Sequence, residues 1–175
     1  TKELEIGYKI GLEFFYSKYG RNFISLLKNK IIFLDLKLND IPNTCEAAIN
    51  SLSDLKNIEY ITVHINGGIE MLKAIKRASK KINKKLKIIG VTVLTSFSDS
   101  SIKKVGHTKP LKNLVVQQAK LAKDAKLDGI VCSGQEVSLI RKICKNMEII
   151  TPGIRMTGDK TQDQKRIITP KKAFD

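Results

Sequence analysis

Asp35, Lys37 and Asp40 fall within one short stretch, Phe33-Leu34-Asp35-Leu36-Lys37-Leu38-Asn39-Asp40-Ile41-Pro42-Asn43-Thr44. The spacing D-x-K-x-x-D sets an ammonium among carboxylates. Neighbouring carboxylates favour the charged form of a lysine and keep it a proton donor. Side chains alternate along a strand, so an extended segment here puts Asp35 and Lys37 on one side. Asp40 comes where the chain leaves the strand, and Pro42 suits the first turn of the next helix. On spacing alone, a surface ion-pair cluster in a lysine-rich chain accounts for the pattern equally well. The position at a strand end, and the Ile41-Pro42-Asn43-Thr44 that follows, favour a chemical site.

Such a cluster needs a frame. Apolar runs predict strands at residues 8–11, 31–36, 60–64, 87–94, 129–132 and 148–151. Helical periodicity predicts helices at 17–29, 43–56, 68–83, 111–126 and 136–145. Strand and helix alternating with short connections means parallel strands joined by crossover helices, an α/β fold. Runs such as Ile31-Ile32-Phe33-Leu34 are apolar at every position, as a sheet covered on both faces requires. Polar residues gather at strand ends: Asp35 and Lys37, then His64, then Thr95, then Pro152, Gly153 and Arg155. Residues at the C-terminal ends of parallel strands form the active-site rim of a barrel or an open sheet. No G-x-G-x-x-G follows a strand, which argues against a dinucleotide fold. The strand count is six, whereas a closed (β/α)8 TIM barrel has eight. Position 1 is Thr, and Thr169-Pro170 reads as the cap and first turn of a helix close to the end. The expectation is therefore a single domain over residues 1–175, an incomplete barrel cut at both ends, with a further strand before Thr1 and another after Asp175.

Composition excludes several classes. The chain has 175 residues, 42% hydrophobic and 28% charged, too apolar for a disordered chain and long enough for a core. Its apolar runs fall far short of the ~20 residues of a membrane helix, and no signal-peptide pattern opens it. Lys and Arg number 32 against 17 Asp and Glu, a net charge of +15 that raises the question of nucleic acid. The distribution answers against it. Aromatics make up 6% and do not interleave with the cations, so no stacking platform is present. The densest basic stretch, Lys73 to Lys87, carries Leu72, Ile75, Ile82 and Leu86 at helical spacing and reads as an amphipathic helix with a solvated basic face. Cys45, Cys132 and Cys144 have neither disulfide nor zinc spacing. They read as small buried residues in a reducing, cytoplasmic protein.

Taken together, these pieces resemble the bacterial type of the orotidine 5′-phosphate decarboxylase family. The matching segments are Tyr8-Lys9-Ile10-Gly11, Phe33 to Thr44, Val63-His64 with Gly67-Gly68, and Gly90-Val91-Thr92-Val93-Leu94-Thr95-Ser96. They continue with Asp128-Gly129-Ile130-Val131-Cys132-Ser133, Thr151-Pro152-Gly153-Ile154-Arg155, and Asp163-Gln164-Lys165-Arg166 with Thr169-Pro170. All stand in family order and span essentially the whole chain. The resemblance implies a (β/α)8 barrel that works as a homodimer without cofactor or metal. It would convert orotidine 5′-monophosphate to uridine 5′-monophosphate. It also implies a Lys-Asp-Lys-Asp network at Lys9, Asp35, Lys37 and Asp40, with Asp40 reaching across the dimer. Lys37 would stabilise charge developing at C6 and donate the proton that replaces CO₂. Asp35 would sit beside the substrate carboxylate. Two like charges ~4 Å apart repel by roughly 4 kcal/mol at an effective dielectric of ~20. Thr95 would recognise the pyrimidine edge. Pro152, Arg155 and Gln164 would belong to the loop that closes on the phosphate.

The sequence also departs from the family. Asn39 stands where many members have His, and Ile65-Asn66 where small residues are usual. The ribose-contacting Asp of the first strand and the phosphate-gripping Gly-Arg of the eighth are not within residues 1–175, so activity of this segment alone is not implied. Two alternatives are weighed. One is a magnesium-dependent sugar-phosphate decarboxylase or aldolase sharing D-x-K-x-x-D, for which the strand ends offer few acidic ligands. The other is a non-catalytic truncated barrel acting as a binding protein.

Overall fold

A computed structural model describes residues 6–160 and 165–174. Strand order follows chain order, β1 to β6. The chain divides into two compact units, residues 1–89 and 90–175.

The first unit opens with β1 (Tyr8–Gly11), α1 (Leu12–Tyr16), α2 (Gly20–Leu26) and β2 (Ile32–Leu38). It continues with α3 (Pro42–Asn50), β3 (Ile58–His64) and α4 (Gly68–Ile82). Both β1–β2 and β2–β3 are parallel pairs. Along β2, Ile32, Leu34 and Leu36 are buried, while Phe33, Asp35 and Lys37 are only half-buried. One face of the strand is therefore packed and the other carries Asp35 and Lys37, where the apolar run alone predicts two covered faces. Phe33 stacks on Tyr60 at 5.5 Å, and the Lys87 ammonium lies 5.0 Å over the Tyr60 ring. The packed side brings Ile32, Leu34, Ile49, Ile61, Met71, Leu72 and Ile75 to complete burial. Each such side chain contributes about 1.5–3 kcal/mol relative to exposure. On α4 the expected basic face is solvated: Lys73, Arg77 and Lys80 are exposed, while Ala74, Ile75 and Ala78 are buried.

The helix predicted over residues 17–29 is realised as the shorter α2 (Gly20–Leu26), and α1 (Leu12–Tyr16), which precedes it, is absent from the sequence expectation. Ser17 breaks the run with extended backbone and turns its hydroxyl onto the Phe14 carbonyl at 2.7 Å. Gly20 opens α2 because a Cβ there would lie 1.9 Å from that same carbonyl oxygen. Proline opens α3 as expected, but the helix ends at Asn50 and gives way to turns, short of the predicted residue 56.

β4 (Lys87–Val91) spans the divide. The second unit holds α5 (Asp99–Lys104), α6 (Leu111–Asp124), β5 (Gly129–Val131), α7 (Val137–Ile143), β6 (Glu148–Ile150) and α8 (Pro170–Phe174). β5 and β6 are paired in parallel. α5 is absent from the sequence expectation; a Ser98–Ser101 capping box holds it. β4 ends at Val91 rather than residue 94, and the carbonyls of residues 93–95 accept from outside the strand ladder. Ile102, Val115, Ala119, Ala122, Ile130 and Ile140 form the buried centre of this unit. All three cysteines are buried and free. Burial, with Glu136 adding to it, pushes the Cys132 thiol up to about 12, which removes it as a nucleophile. Among the described residues no helix is long and apolar enough to cross a membrane.

Candidate active site

The first unit brings three of the four expected charges together. Asp35 lies between two ammoniums: Lys37 Nζ donates to Oδ1 at 2.9 Å, and Lys9 Nζ approaches Oδ2 at 3.3 Å. The register explains how Lys9 arrives, since β1 pairs Lys9 with Phe33 and Gly11 with Asp35. Asp40 is not drawn in. Its carboxylate accepts the backbone N–H of Ile41 at 2.7 Å, at the start of α3.

Asp35 and Lys37 share a side, but not through simple alternation. The pairing of β2 with β3 runs from Leu34↔Ile61 to Leu38↔Val63. β2 thus spends residues 35–37 where β3 spends only Thr62. The extra length is a bulge, and Lys37 sits in it at φ 51°, a left-handed conformation uncommon outside glycine. Thr62 closes the bulge. Its hydroxyl oxygen accepts the Lys37 backbone N–H at 2.9 Å, and its hydroxyl proton goes to Asp35 Oδ1 at 2.9 Å. Thr62 is fully buried and is not among the residues the sequence reading selects. Its only signal is a hydroxyl placed between two apolar residues of β3, Ile61 and Val63.

Burial works against ionisation of Asp35. The hydrogen bonds from Lys37 and Thr62 and the charges of Lys37 and Lys9 outweigh it, holding the carboxyl below its usual value of 3.8. The result is an ionised carboxylate fixed by two cations and a hydroxyl, with its ammonium neighbours half-exposed or exposed.

The second unit holds the remaining expected residues. Thr95 is buried, and its carbonyl accepts the backbone N–H groups of Lys165 at 3.1 Å and Arg166 at 3.3 Å. After β6, Pro152 leads into Gly153 at φ 79°, and Ile154 forms a parallel bridge with Ile168. Arg155 donates to the carbonyls of Ile154 (2.9 Å) and Lys160 (3.4 Å). It lines an open cleft of about 490 Å³ with Gln135, Asp159, Thr169 and Lys172. Two cations against one carboxylate suit that cleft to an anion. Pro152 is half-buried, and Gln164 lies outside the described residues.

Two further residues escape the sequence reading. Arg166 and Glu136 form a buried ion pair. Glu136 was legible in principle, as the fourth residue of Ser133-Gly134-Gln135-Glu136, a capping-box spacing that the structure realises. Arg166 had no local signal.

Parallel strands in chain order, crossover helices and a charge cluster at a strand's C-terminal end define an enzyme fold of the (β/α) barrel class. The comparisons narrow the class. The family model described as orotidine 5'-phosphate decarboxylase / HUMPS matches residues 2–175. The orotidine 5'-phosphate decarboxylase of Carboxydothermus hydrogenoformans is 45% identical, covering 99% of this chain and 75% of its own length. That of Bacillus cereus is 44% identical over 97% of this chain and 74% of its own. Among solved structures, the Lactobacillus acidophilus enzyme of that name superposes with a TM-score of 0.81 at 35% identity, covering 94% of this chain and 71% of its own. The Methanocaldococcus jannaschii enzyme, complexed with inhibitor BMP, gives 0.68 at 28% identity, with coverages of 90% and 70%. The chain belongs to the orotidine 5'-phosphate decarboxylase / HUMPS family.

Two expectations follow from the bulge. Lys37→Gly and Lys37→Ala remove the same cation, yet the glycine variant should be the more stable by about 1 kcal/mol, since only alanine carries a Cβ into the left-handed region. Paired urea melts check this; alanine proving equal or better would refute the backbone constraint. The second concerns acid. A carboxyl lowered in the folded state contributes stability that is present above its unfolded pKa and lost as pH falls through the folded one. Asp35→Asn should therefore cost stability near neutrality, and melts at descending pH should show the gap from the unsubstituted protein closing below about pH 4.

Proposed function

We propose that this protein decarboxylates orotidine 5′-monophosphate to uridine 5′-monophosphate, in the cytoplasm, as a step of pyrimidine nucleotide synthesis. The observation that carries the reading is the Lys9–Asp35–Lys37 array on β1 and β2. Relatives at 45% and 44% identity bear the name of this carboxy-lyase, and a solved relative binds an inhibitor. The unbroken family match supports reading residues 1–175 as a single barrel domain.

Lys9, Asp35 and Lys37 would supply the charges that act on the reacting carbon. Asp35 stands against the substrate carboxylate. As the C6–carboxylate bond breaks, its electron pair stays on C6 and CO₂ departs. The Lys37 ammonium stabilises that pair and then passes a proton to C6, regaining one from water. Lys9 holds Asp35 in place and reaches towards the ribose hydroxyls. Asp40 completes the network of the other protomer in a two-fold dimer, which accords with its standing apart from Asp35 and Lys37 here. Recognition would fall to Thr95 for the pyrimidine edge, and to Pro152, Arg155 and Gln164 for the phosphate side.

Loss of the ultraviolet absorbance of orotidine 5′-monophosphate measures turnover directly. Lys37→Ala should lower kcat/KM by about 10³-fold or more, since it removes both charge stabilisation and the proton donor. EDTA should leave the rate unchanged; a rate that falls with EDTA and returns with magnesium would favour the sugar-phosphate branch. Absence of turnover in folded protein would sink the proposal. The shared site has its own test. Lys37→Ala and Asp40→Ala proteins, each inactive alone, should regain about a quarter of full activity when mixed and allowed to exchange subunits, because half the dimers then carry one intact site. No recovery after demonstrated exchange would place Asp40 in the site of its own protomer.

A further inference from the structure

Arg166 is an unusual residue to bury. It is 8% exposed, and its partner Glu136 is 6% exposed. The pair closes within one region of the second unit. One guanidinium nitrogen, Nη1, meets Glu136 Oε1; Glu136 Oε2 accepts the Ser133 backbone N–H at 2.9 Å. The other, Nη2, donates to the carbonyls of Val93 at 2.7 Å and Leu94 at 3.1 Å. The next carbonyl, Thr95, takes the backbone N–H groups of Lys165 and Arg166. Three consecutive carbonyls after β4 thus accept from two consecutive residues, 165 and 166, and that of Leu94 also accepts the Phe97 backbone N–H at 3.0 Å. Ser133 Oγ adds a contact to the Arg166 carbonyl at 3.4 Å, and Gln135 Nε2 another to Ile167 at 3.4 Å.

A guanidinium can fork to an acid and two carbonyls at once, whereas an ammonium presents a single compact charge. Here the fork ties residues 165 and 166 to the chain immediately before Thr95. We infer that Arg166, oriented by Glu136, is a positioning residue: it fixes Thr95 and the backbone of Lys165 and Arg166 relative to one another before substrate arrives. The inference rests on the decarboxylase reading for what Thr95 does, while the tether itself is independent of that reading. Without the tether, substrate binding must order Thr95 as well as fill the site. At saturation the same complex forms. The loss therefore falls on KM far more than on kcat.

Removing one partner alone leaves a buried unpaired charge and risks unfolding. Replacing both partners by apolar residues of similar size removes the charges together, a change that is often neutral for stability. The experiment uses the double variant Arg166→Met/Glu136→Leu, with Arg166→Lys beside it. Folding is followed by thermal melting, turnover of orotidine 5′-monophosphate gives kcat and KM, and mass spectrometry follows trypsin cleavage after Lys160. The double variant should stay folded but melt lower, since the Val93 and Leu94 carbonyls and the Ser133 N–H lose partners; it should raise KM about tenfold or more with kcat within about threefold, and be cut after Lys160 at least about five times faster. Arg166→Lys should fall between, because it keeps the charge and loses the fork. A folded double variant with unchanged KM and unchanged cleavage overturns the inference and leaves the pair a structural ion pair. If the unsubstituted protein does not turn over the substrate, the decarboxylase reading fails. The tether then stands or falls on the cleavage rate, faster cutting supporting it and equal cutting refuting it.

Discussion

A backbone amide without a strand partner is the constraint on which the first unit turns. β2 has more residues than β3 between Leu34 and Leu38, so the Lys37 N–H has no ladder carbonyl to meet. A buried amide left unpaired costs about 1–3 kcal/mol, and the left-handed φ of Lys37 costs about 1–2 more. Thr62 answers the first cost with a hydroxyl that accepts that amide and hands its own proton to Asp35. One side chain therefore fixes the backbone irregularity, the direction of the Lys37 side chain and the rotamer of the carboxylate. The local strain is tolerated because its surroundings over-determine it, as is usual where geometry serves chemistry.

The second unit solves a comparable problem by different means. After β4 the chain leaves the ladder at Val91, and the carbonyls of residues 93–95 need donors. Two donations come from a buried guanidinium, two from the backbone N–H groups of Lys165 and Arg166, and one to Leu94 from the nearby Phe97 N–H. In each unit the strand's C-terminal end departs from regular pairing, and a buried polar side chain from a distant part of the chain satisfies what the departure leaves open. Irregularity at strand ends is what frees side chains and carbonyls to act; the polar partner is what keeps that irregularity in one conformation.

Much of this was legible beforehand. All six strands stand where apolar runs place them, because a buried parallel strand needs an unbroken apolar face and the sequence cannot hide one. Asp35 and Lys37 do share a side, but for a reason that alternation does not contain: a bulge is a property of two strands' relative lengths, and neither strand announces it alone. Thr62 and Arg166 were missed for the same reason. Their partners lie 25 or more residues away in sequence, so no window shows them. Helix limits failed where local chemistry overrode periodicity, as at Ser17, whose hydroxyl and amide both turn back to Phe14. Asp40 is different again. Its spacing belongs with Asp35 and Lys37, yet within one chain its carboxylate caps the amide of Ile41, and a residue that serves another protomer would look the same in a single chain.

The charge count of the array bears on what it could act upon. Two ammoniums share one ionised carboxylate, so the described cluster carries a net positive charge. An anionic substrate is drawn by that surplus, although the carboxylate at the centre repels it at close range. Salt screening weakens the contribution of Lys9, the more exposed cation, more than that of Lys37. Attraction from afar and repulsion at contact are thus assigned to different side chains. Were Asp40 of a second protomer to join, the cluster would become neutral before substrate binds, and the draw on the anion would pass to the cations beyond it. A lysine in a left-handed bulge, bonded to a carboxylate two residues before it on the same strand, has few alternative positions. That restriction is what the proposed proton donor would need to meet a carbanion as it forms rather than after water has reached it.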